Sequence, residues 1–454
     1  MSRHFDAIIV GAGQAGPPLA GRLTAAGRSV AVVERKLPGG TCVNTGCMPT
    51  KTLVASARVA HLARRAADFG VLTEGAVGID MARVRSRADT VSSNARHGVE
   101  NWLQDMAGCT LLDGHARFEG PRTLRVGDEA ITADQVFLNV GGRALVPDLP
   151  GLDRIPYLTN TSILRLDRVP RHLVIVGGSY IGLEFAQIHR RFGADVTVLE
   201  RGPALVGRED ADVSAAVREI LESEGIAIRT GVSSMRFAPS GEGIEVEADD
   251  DRLDASHVLV AVGRRPNTDD LGLDRAGVAV DARGYITVDD GLQTSVPGIW
   301  ALGDCNGRGA FTHTAYNDYE IVAANLLDGE SRKVGDRVPG YALFIDPPLG
   351  RVGMTEREAA ATGRPLLVSK RPMSRVGRAI EKDETRGFMK VVADAGSGRM
   401  LGAAILGTGG DEAIHGLIDM ISVGATADQL RRTVPVHPTV SELLPTLVSD
   451  LRPA

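Results

Sequence analysis

The chain has 454 residues, of which 43% are hydrophobic and 24% charged, with a formal net charge of -6. This length predicts about three domains, and the negative balance gives no basic face for nucleic acid or an anionic membrane. No apolar run approaches the roughly 18 residues that a membrane helix needs. We therefore expect a folded protein that binds neither nucleic acid nor a membrane.

The chain begins with a dinucleotide-binding pattern. A strand predicted at 6–10 is followed by a glycine-rich turn and a helix, and the next strand ends at an acidic residue. Glycines in such a turn let a pyrophosphate approach the helix N-terminus, and the acidic residue can bind a ribose. The residues of this pattern are Gly11, Gly13, Gly16 and Glu34.

Two cysteines five residues apart follow this first fold, and the chain has only four cysteines in all. Thr41 is expected to cap a helix that carries both sulfurs near its first turn, where free N–H groups favour a thiolate. A zinc site needs a second ligand pair that the sequence does not supply. Two unrelated buried thiols are a further alternative. The spacing favours a redox-active disulfide between Cys42 and Cys47.

The segment Gly39–Lys51 closely resembles the redox motif of the flavin-dependent pyridine nucleotide-disulfide oxidoreductases. This family includes dihydrolipoamide dehydrogenase, glutathione reductase and mercuric reductase. The resemblance implies that NAD(P)H reduces FAD and that electrons pass on to the disulfide. It places Cys47 against the flavin as a charge-transfer thiolate and makes Cys42 the interchange thiol. It also implies that Lys51 hydrogen-bonds flavin N5 and pairs with Glu184.

The dinucleotide-binding pattern returns in the middle of the chain at one constant offset of 166 residues. This internal repeat predicts two bound dinucleotides, with flavin beside the cysteines and nicotinamide in the second fold. The alternative is one working site and one decayed copy, although both copies keep their glycines and acid. Ser179 replaces the second fingerprint glycine, and a small hydroxyl is expected to be tolerated there. The second copy consists of Gly177, Gly178, Ser179, Tyr180, Gly182 and Glu200.

The residues of the second copy suggest which nicotinamide cofactor is used. Glu200 can accept a hydrogen bond from a ribose 2′-hydroxyl and should repel a 2′-phosphate, which predicts NADH in preference to NADPH. Arg201 and Arg208 are near in sequence and can reverse this preference. By resemblance, Tyr180 matches the tyrosine that gates the nicotinamide pocket in glutathione reductase.

Other cofactor contacts are implied by the resemblance alone. Strands predicted at 136–140 and 258–262 each end in a glycine-rich turn, as do the crossover segments of the family. The apolar segment 298–304 ends in an aspartate that the family uses to bind the ribityl chain of FAD; the residues alone equally allow a helix cap. The residues assigned in this way are Gly40, Thr41, Gly142 and Asp304 for FAD and Gly263 for NAD(P)H.

From about residue 336 the pattern changes to hairpin-like strands and amphipathic helices, similar to the interface domain of the homodimeric family. Near the end, Glu442 follows His437 by five residues, so a turn can bring its carboxylate to the imidazole. A lone histidine is more often structural. In the family, however, this pair reaches the partner subunit's cysteines and the histidine acts as general acid and base. We therefore predict a homodimer with shared active sites.

The fold class that follows is α/β, with two Rossmann-like dinucleotide-binding domains, for FAD and NAD(P), and a C-terminal α+β dimerisation domain. The expected ranges are 1–148 and 267–335 for the FAD-binding domain, 149–266 for the NAD(P)-binding domain and 336–454 for the interface. No metal site is expected. The apolar run 7–20 fits the nucleotide motif better than a signal peptide, and cysteines are few, so we expect a cytoplasmic protein.

The electron acceptor distinguishes the branches of the family. Mercuric reductase uses a further cysteine pair near its C-terminus, whereas residues 306–454 contain no cysteine. Dihydrolipoamide dehydrogenase typically has a second histidine just before the catalytic one, where this chain has Pro435 and Val436. The segments 47–51 and 346–350 are most similar to a bacterial group of mercuric reductase-like and reactive-chlorine resistance flavoproteins. The leading hypothesis is therefore reduction of a metal ion, an oxidant or a small disulfide.

The sequence leaves three alternatives to this hypothesis. The nearest is a dihydrolipoamide dehydrogenase. A redox or nucleotide sensor that does not catalyse turnover would bind both dinucleotides and signal through a partner. An oxidase or diaphorase would use the flavin alone and would not depend on Cys42.

Overall fold

The computed structural model describes residues 3–241 and 243–454. Its first sheet has seven strands, and the strand Ile299–Ala301 joins it late in the chain by pairing parallel with Glu129–Leu138. Val30–Glu34 is apolar on both faces, as expected of a parallel strand covered on two sides. The other strands follow in the order Cys109–Asp113, Val30–Glu34, Arg3–Val10, Glu129–Leu138, Thr123–Val126 and Ala116–Gly120.

The second sheet repeats the beginning of the first. Its four strands are all parallel, and the helix Tyr180–Phe192 connects the first two of them in sequence, as Gly16–Ala25 does in the first sheet. The order across the sheet is Ala227–Thr230, Asp195–Glu200, His172–Val176 and His257–Val260. A separate antiparallel sheet consists of Met235–Ser240, Gly243–Ala248 and Asp251–Ala255.

Two short strands run between the nucleotide-binding sheets. Gly142–Ala144 pairs antiparallel with Arg264–Pro266, where the chain leaves the first sheet and where it returns from the second. The helices Cys47–Arg64 and Met81–Asp105 pack together, and Cys47–Arg64 also packs against Tyr180–Phe192. The redox segment therefore lies between the two nucleotide-binding folds.

The C-terminal sheet has six strands, all paired antiparallel. The helix Gly410–Ser422 packs across two of its strands. The order across the sheet is Gly340–Leu343, Leu349–Gly353, Met400–Leu406, Phe388–Asp394, Leu366–Pro372 and Arg452–Pro453. Outside the redox segment, the other α-helices are Ala211–Ser223, Leu273–Ala276, Thr312–Leu327, Glu356–Ala361, Gly377–Glu381, Ala427–Arg431 and Leu444–Ser449.

The predicted fold class is confirmed, because two parallel sheets with crossover helices precede a mixed sheet-and-helix unit. In residues 3–241 and 243–454, no helix combines the length and the hydropathy that crossing a membrane would require.

The prediction of one helix capped by Thr41 is wrong. Two helices, Gly40–Thr45 and Cys47–Arg64, are separated at Gly46, and the first is capped by Gly39 with a φ of 91°. A side chain at Gly46 would place its Cβ 2.9 Å from the Thr41 carbonyl oxygen. The break therefore needs a glycine, and it makes Cys47 the first residue of a new helix.

Buried charges join the second nucleotide-binding fold to the C-terminal sheet. The Arg351 guanidinium donates to Glu209, with Nε 3.0 Å from Oε2, and the two side chains are 1% and 0% exposed. Lys390 lies 3.2 Å from Asp210 in the same contact. Such pairs orient two units but become costly when one partner is removed.

Arg351→Met tests this contact. We expect the free energy of unfolding to fall by about 3–5 kcal/mol, because Glu209 then keeps a buried charge without its main partner. Chemical denaturation followed by circular dichroism measures the change. Arg378→Met is the matched control, since Arg378 forms an exposed pair with Glu381 on one short helix. Equal stability of the two variants would contradict the prediction.

Candidate active site

The two predicted redox cysteines lie on consecutive helices and face each other. Cys42 is half-buried, Cys47 is exposed, and both are free thiols. The interaction with the Cys42 thiol lowers the pKa of Cys47 to about 6. Thr312 and the charge of Lys51 act in the same direction, whereas burial acts against them. The same interaction between the two thiols, together with burial, raises the pKa of Cys42. Cys47 is therefore the sulfur suited to carry negative charge.

Lys51 and Glu184 form an ion pair beside the cysteines. The Lys51 ammonium donates to Glu184 Oε2 at 2.8 Å and lies 4.5 Å from the centre of the Phe344 ring. The Phe344 N–H donates to the other Glu184 oxygen at 3.0 Å. Since Lys51 comes four residues after Cys47 on the same helix, this pair holds a positive charge one turn from the sulfur.

The first glycine-rich turn is sterically closed to side chains. A Cβ at Gly11 would lie 2.3 Å from the Asn139 carbonyl oxygen, and one at Gly16 would lie 2.4 Å from the Gly11 carbonyl oxygen. Glu34 accepts a hydrogen bond from the Ala12 N–H at 2.9 Å. The turn thus leads directly into a helix N-terminus, with a carboxylate at the end of the neighbouring strand. These residues fit the dinucleotide predicted for this fold.

The redox segment begins against this same turn. A Cβ at Gly40 would lie 2.9 Å from Gly13 Cα, and the φ of Gly40 is +61°. The Gly39 N–H donates to the Ala12 carbonyl oxygen at 2.8 Å. Thr41 is the next residue and is exposed. The helix with Cys42 therefore starts against the glycine-rich turn that is predicted to hold the dinucleotide.

Asp304 lies inside a short 3-10 helix, Gly303–Asn306, directly after the late strand of the first sheet, so it is not a helix cap. Burial raises its pKa, against the opposing charge of Arg264, whose Nε is 3.4 Å from Oδ2. The same guanidinium donates to the Gly142 carbonyl oxygen at 2.5 Å. The short crossover strands are thereby connected to the predicted ribityl-binding residue.

The second glycine-rich turn repeats the first in its contacts as well as in its sequence. A Cβ at Gly182 would lie 2.2 Å from the Gly177 carbonyl oxygen. Glu200 accepts from the N–H groups of Gly178 and Gly202, both at 2.6 Å. In the first copy, Glu34 accepts from the residues at the equivalent positions. Both glycine-rich turns therefore keep the close backbone contacts and the acidic residue that a dinucleotide-binding fold needs.

Tyr180 is the first residue of the helix after this turn, and Ser179 before it is extended. The Tyr180 ring packs edge-on against Phe311 and Tyr341, with centroid distances of 6.1 and 5.5 Å. Burial raises the pKa of Tyr180 to about 12. The Tyr341 hydroxyl donates to buried Glu209 at 2.5 Å, so the aromatic wall is attached to the buried charges described above. Gly263, in the crossover, has a φ of 142°.

His437 and Glu442 are paired with each other near the end of the chain. His437 Nδ1 lies 2.7 Å from Glu442 Oε2, and the two side chains are 81% and 12% exposed. The carboxylate fixes the proton on Nδ1 and leaves Nε2 directed to solvent. Across residues 3–241 and 243–454, His437 hydrogen-bonds neither Cys42 nor Cys47.

Sequence reasoning missed four residues that lie at the site. One of them had a local signal: buried Asn139 interrupts an apolar strand end, and its Nδ2 donates to the Gly11 carbonyl oxygen at 3.1 Å. The others come from elements remote in sequence, where no local pattern indicates the contact. These three are Thr312, Tyr341 and Phe344.

Two family descriptions match the chain. One is "Pyridine nucleotide-disulphide oxidoreductase", over residues 5–318. The other is the "dimerisation domain" of the same family, over residues 339–448.

Individual relatives match over nearly the whole chain. The probable pyridine nucleotide-disulfide oxidoreductase RclA of Escherichia coli strain K12 is 36% identical over 98% of this chain and 99% of its own length. A mercuric reductase of Streptomyces lividans is 34% identical over 97% of this chain and 94% of its own length. A dihydrolipoyl dehydrogenase of Thermus scotoductus is 34% identical over 97% of this chain and 96% of its own length.

A solved structure matches equally well. It is described as the Cu(II) complex of the HOCl-induced flavoprotein disulfide reductase RclA from Escherichia coli. The match has a TM-score of 0.91 and 35% sequence identity, and it covers 99% of each chain.

Proposed function

The chain belongs to the pyridine nucleotide-disulphide oxidoreductase family, and on this premise we propose that it uses NADH to reduce a metal ion, an oxidant or a small disulfide at Cys42. It is a flavoprotein disulfide reductase, and its family implies FAD and a pyridine nucleotide. The observation that carries the proposal is the placement of Cys42 and Cys47 on two consecutive helices, the first of which starts against the first dinucleotide turn.

Two sets of residues are proposed to hold the cofactors. FAD, when bound, accepts hydride from the nicotinamide and supplies two electrons to the cysteine pair. The FAD-binding residues are Gly11, Gly13, Gly16, Glu34, Gly40, Thr41, Lys51, Gly142 and Asp304. The residues for the nicotinamide dinucleotide are Gly177, Gly178, Ser179, Tyr180, Gly182, Glu200 and Gly263.

The cysteines have different tasks in this proposal. Cys42 keeps its proton in the reduced pair, because its pKa is raised. It must lose that proton to attack an acceptor, since the thiolate is the nucleophile. With a disulfide acceptor, the Cys42 sulfur bonds to one acceptor sulfur, and the other acceptor sulfur leaves as a thiolate that needs a proton. A base that can also act as an acid must therefore stand beside Cys42.

The partner subunit's His437 is proposed as this base. Its imidazole takes the Cys42 proton on Nε2 and returns it to the leaving thiolate, while Glu442 holds Nδ1–H. The exposure of His437 and the dimerisation domain of the family support a homodimer with shared sites. The small number of cysteines, four in 454 residues, supports a location in the reducing cytoplasm.

The acceptor is proposed to meet Cys42 directly. In the described part of the chain, no group of three or more histidine, cysteine, aspartate or glutamate side chains is arranged to hold a metal ion. Resemblance to RclA, whose solved complex contains Cu(II), supports a metal ion as acceptor. The second candidate is a dihydrolipoamide dehydrogenase, which relatives of 34% identity favour.

The acceptor is tested by NADH oxidation with copper(II), mercury(II) or lipoamide. We expect metal reduction that falls by about a hundredfold or more in Cys42→Ser, because the nucleophile is lost. Cys109→Ser is the matched control, since Cys109 is half-buried in the first sheet. Fast lipoamide turnover that depends on Cys42 would instead establish the second candidate. Turnover unchanged in Cys42→Ser would indicate chemistry on the flavin alone.

Cofactor preference is tested at Glu200. Because both of its oxygens are held by backbone N–H groups, a 2′-phosphate would meet a fixed negative charge. We expect kcat/KM for NADH to exceed that for NADPH by about tenfold or more, and Glu200→Ala to reduce the ratio. Glu219→Ala, at an exposed glutamate of the same fold, should leave it unchanged. A wild-type ratio that strongly favours NADPH would refute the preference.

The shared site is tested with a heterodimer of one Cys42→Ser subunit and one His437→Ala subunit, isolated through two different affinity tags. One of its two sites combines an intact cysteine pair with an intact histidine, so we expect about half of the wild-type activity. Each parent homodimer should be nearly inactive. A heterodimer as inactive as its parents would show that His437 does not act across the interface.

A further inference from the structure

A hydroxyl from a distant part of the chain contacts the exposed redox sulfur. Thr312 Oγ1 lies 3.2 Å from Cys47 Sγ, although the two residues are 265 positions apart. Thr312 is the first residue of the 16-residue helix Thr312–Leu327. Nothing in the redox motif itself indicates this contact.

The helix of Thr312 is anchored independently of the sulfur. Its buried Asp318 accepts from the Gly303 N–H at 2.8 Å and from the Asn306 side chain at 2.9 Å. Its first turn is held by Thr314, whose hydroxyl is 3.1 Å from the Phe311 nitrogen and 2.8 Å from its carbonyl oxygen. The Thr312 hydroxyl is therefore not needed to cap the helix and remains available to Cys47.

Two helix N-termini meet at Cys47. The sulfur belongs to the first residue of Cys47–Arg64, and Thr312 begins the second helix. Each N-terminus presents N–H groups without intrahelical partners and a partial positive charge. This arrangement favours an anion on the Cys47 sulfur.

The titratable groups that face Cys47 are Cys42, Lys51 and Glu184. The Lys51 ammonium favours a negative sulfur, and Glu184 opposes it while paired with Lys51 at 2.8 Å. His313, next to Thr312, directs its Nε2 to the Gly340 carbonyl oxygen at 2.7 Å and so points away. The Lys51 charge and the Thr312 hydroxyl thus both favour a negative charge on the Cys47 sulfur.

On the basis of the proposed function, we propose that the Thr312 hydroxyl donates to the Cys47 thiolate in the reduced enzyme and so holds the negative charge on Cys47 while Cys42 keeps its proton. Two-electron reduction by NAD(P)H through the flavin breaks the sulfur–sulfur bond. The hydride supplies both electrons and one proton, so Cys47 is left as a thiolate and Cys42 as a thiol with no net uptake of protons from solvent. Thr312 is a positioning residue that stabilises the charged Cys47 sulfur through the contact at 3.2 Å.

The hydrogen bond discriminates between the two redox states. A hydroxyl can donate or accept, but a thiolate can only accept, so Thr312 must donate once Cys47 is charged. A charge-assisted bond of this kind is about twice as strong as a neutral one, and a disulfide sulfur is a weak acceptor. The contact therefore stabilises the reduced pair more than the oxidised pair.

The proposal is tested by NMR of the flavin-containing enzyme, reduced by two electron equivalents, with its cysteines labelled with ¹³C at Cβ. The chain gives only four such signals, which single cysteine-to-serine variants assign. We expect Thr312→Val to raise the pH midpoint of Cys47 by about one unit, because the donor is lost. Thr312→Ser keeps the donor and should titrate like the wild type.

Two results would overturn the proposal: a Thr312→Val midpoint equal to that of the wild type, or a Thr312→Ser midpoint equal to that of Thr312→Val. The visible spectrum of the bound flavin checks that each variant is folded. If Thr312→Val does not fold, Thr312→Ala removes the same donor without adding bulk, and an unshifted midpoint in that variant has the same meaning.

The outcome is separable from that of the proposed function. Turnover that depends on Cys42, together with an unshifted Thr312→Val midpoint, would reject the role of Thr312 and leave the function standing. Turnover that does not depend on Cys42 would reject the function, whatever the titration shows.

Discussion

The close backbone contact between Gly13 and Gly40 is the constraint on which the site depends. A side chain on Gly40 would place its Cβ 2.9 Å from Gly13 Cα, so only glycine lets the redox helix start against the dinucleotide turn. The hydrogen bond from the Gly39 N–H to the Ala12 carbonyl oxygen fixes the direction of approach. From there the short helix, the break at Gly46 and the second helix set the positions of both sulfurs. The close packing of Gly40 against Gly13 thus sets the position of the two cysteines.

Electrostatics then makes the two sulfurs unequal. Cys47 begins a long helix and contacts Thr312 at the beginning of another, with the ammonium of Lys51 one turn away, whereas Cys42 lies within a short helix. The pKa of Cys47 falls because of its interaction with Cys42, with further contributions from Thr312 and Lys51, and the pKa of Cys42 rises because of the same interaction and of burial. A pair with one charged and one protonated sulfur can separate the task of facing the cofactor from that of attacking the acceptor.

The remaining groups tie this pair to the other two parts of the fold. Glu184 receives both Lys51 and the Phe344 N–H, so one carboxylate joins the redox helix, the second nucleotide-binding fold and the C-terminal sheet. Tyr341, from that sheet, packs against Tyr180 and donates to Glu209. The C-terminal sheet therefore contacts both the second nucleotide-binding fold and the Lys51–Glu184 pair beside the cysteines.

The sequence by itself determined the family, the fold class and the two nucleotide-binding turns, because those features depend on neighbouring residues. Gly11 and Gly177 are needed by their own turns, and Glu34 and Glu200 bind the N–H groups of adjacent loops, so short segments carry the whole signal. The sequence also placed His437 next to Glu442, again a local pair. The helix predicted to begin at Thr41 was wrong, because the break depends on the fit between Gly46 and the Thr41 carbonyl oxygen.

Only the tertiary structure decided which distant groups reach the candidate site. Thr312, Tyr341 and Phe344 come from elements far along the chain, and their contacts depend on how the sheets pack. No local pattern can encode such a contact, because the residues have ordinary neighbours in sequence and acquire their roles only when helices and strands are brought within a few ångströms. Hydrogen bonds and close contacts act over that short range, and the folded chain alone sets those distances.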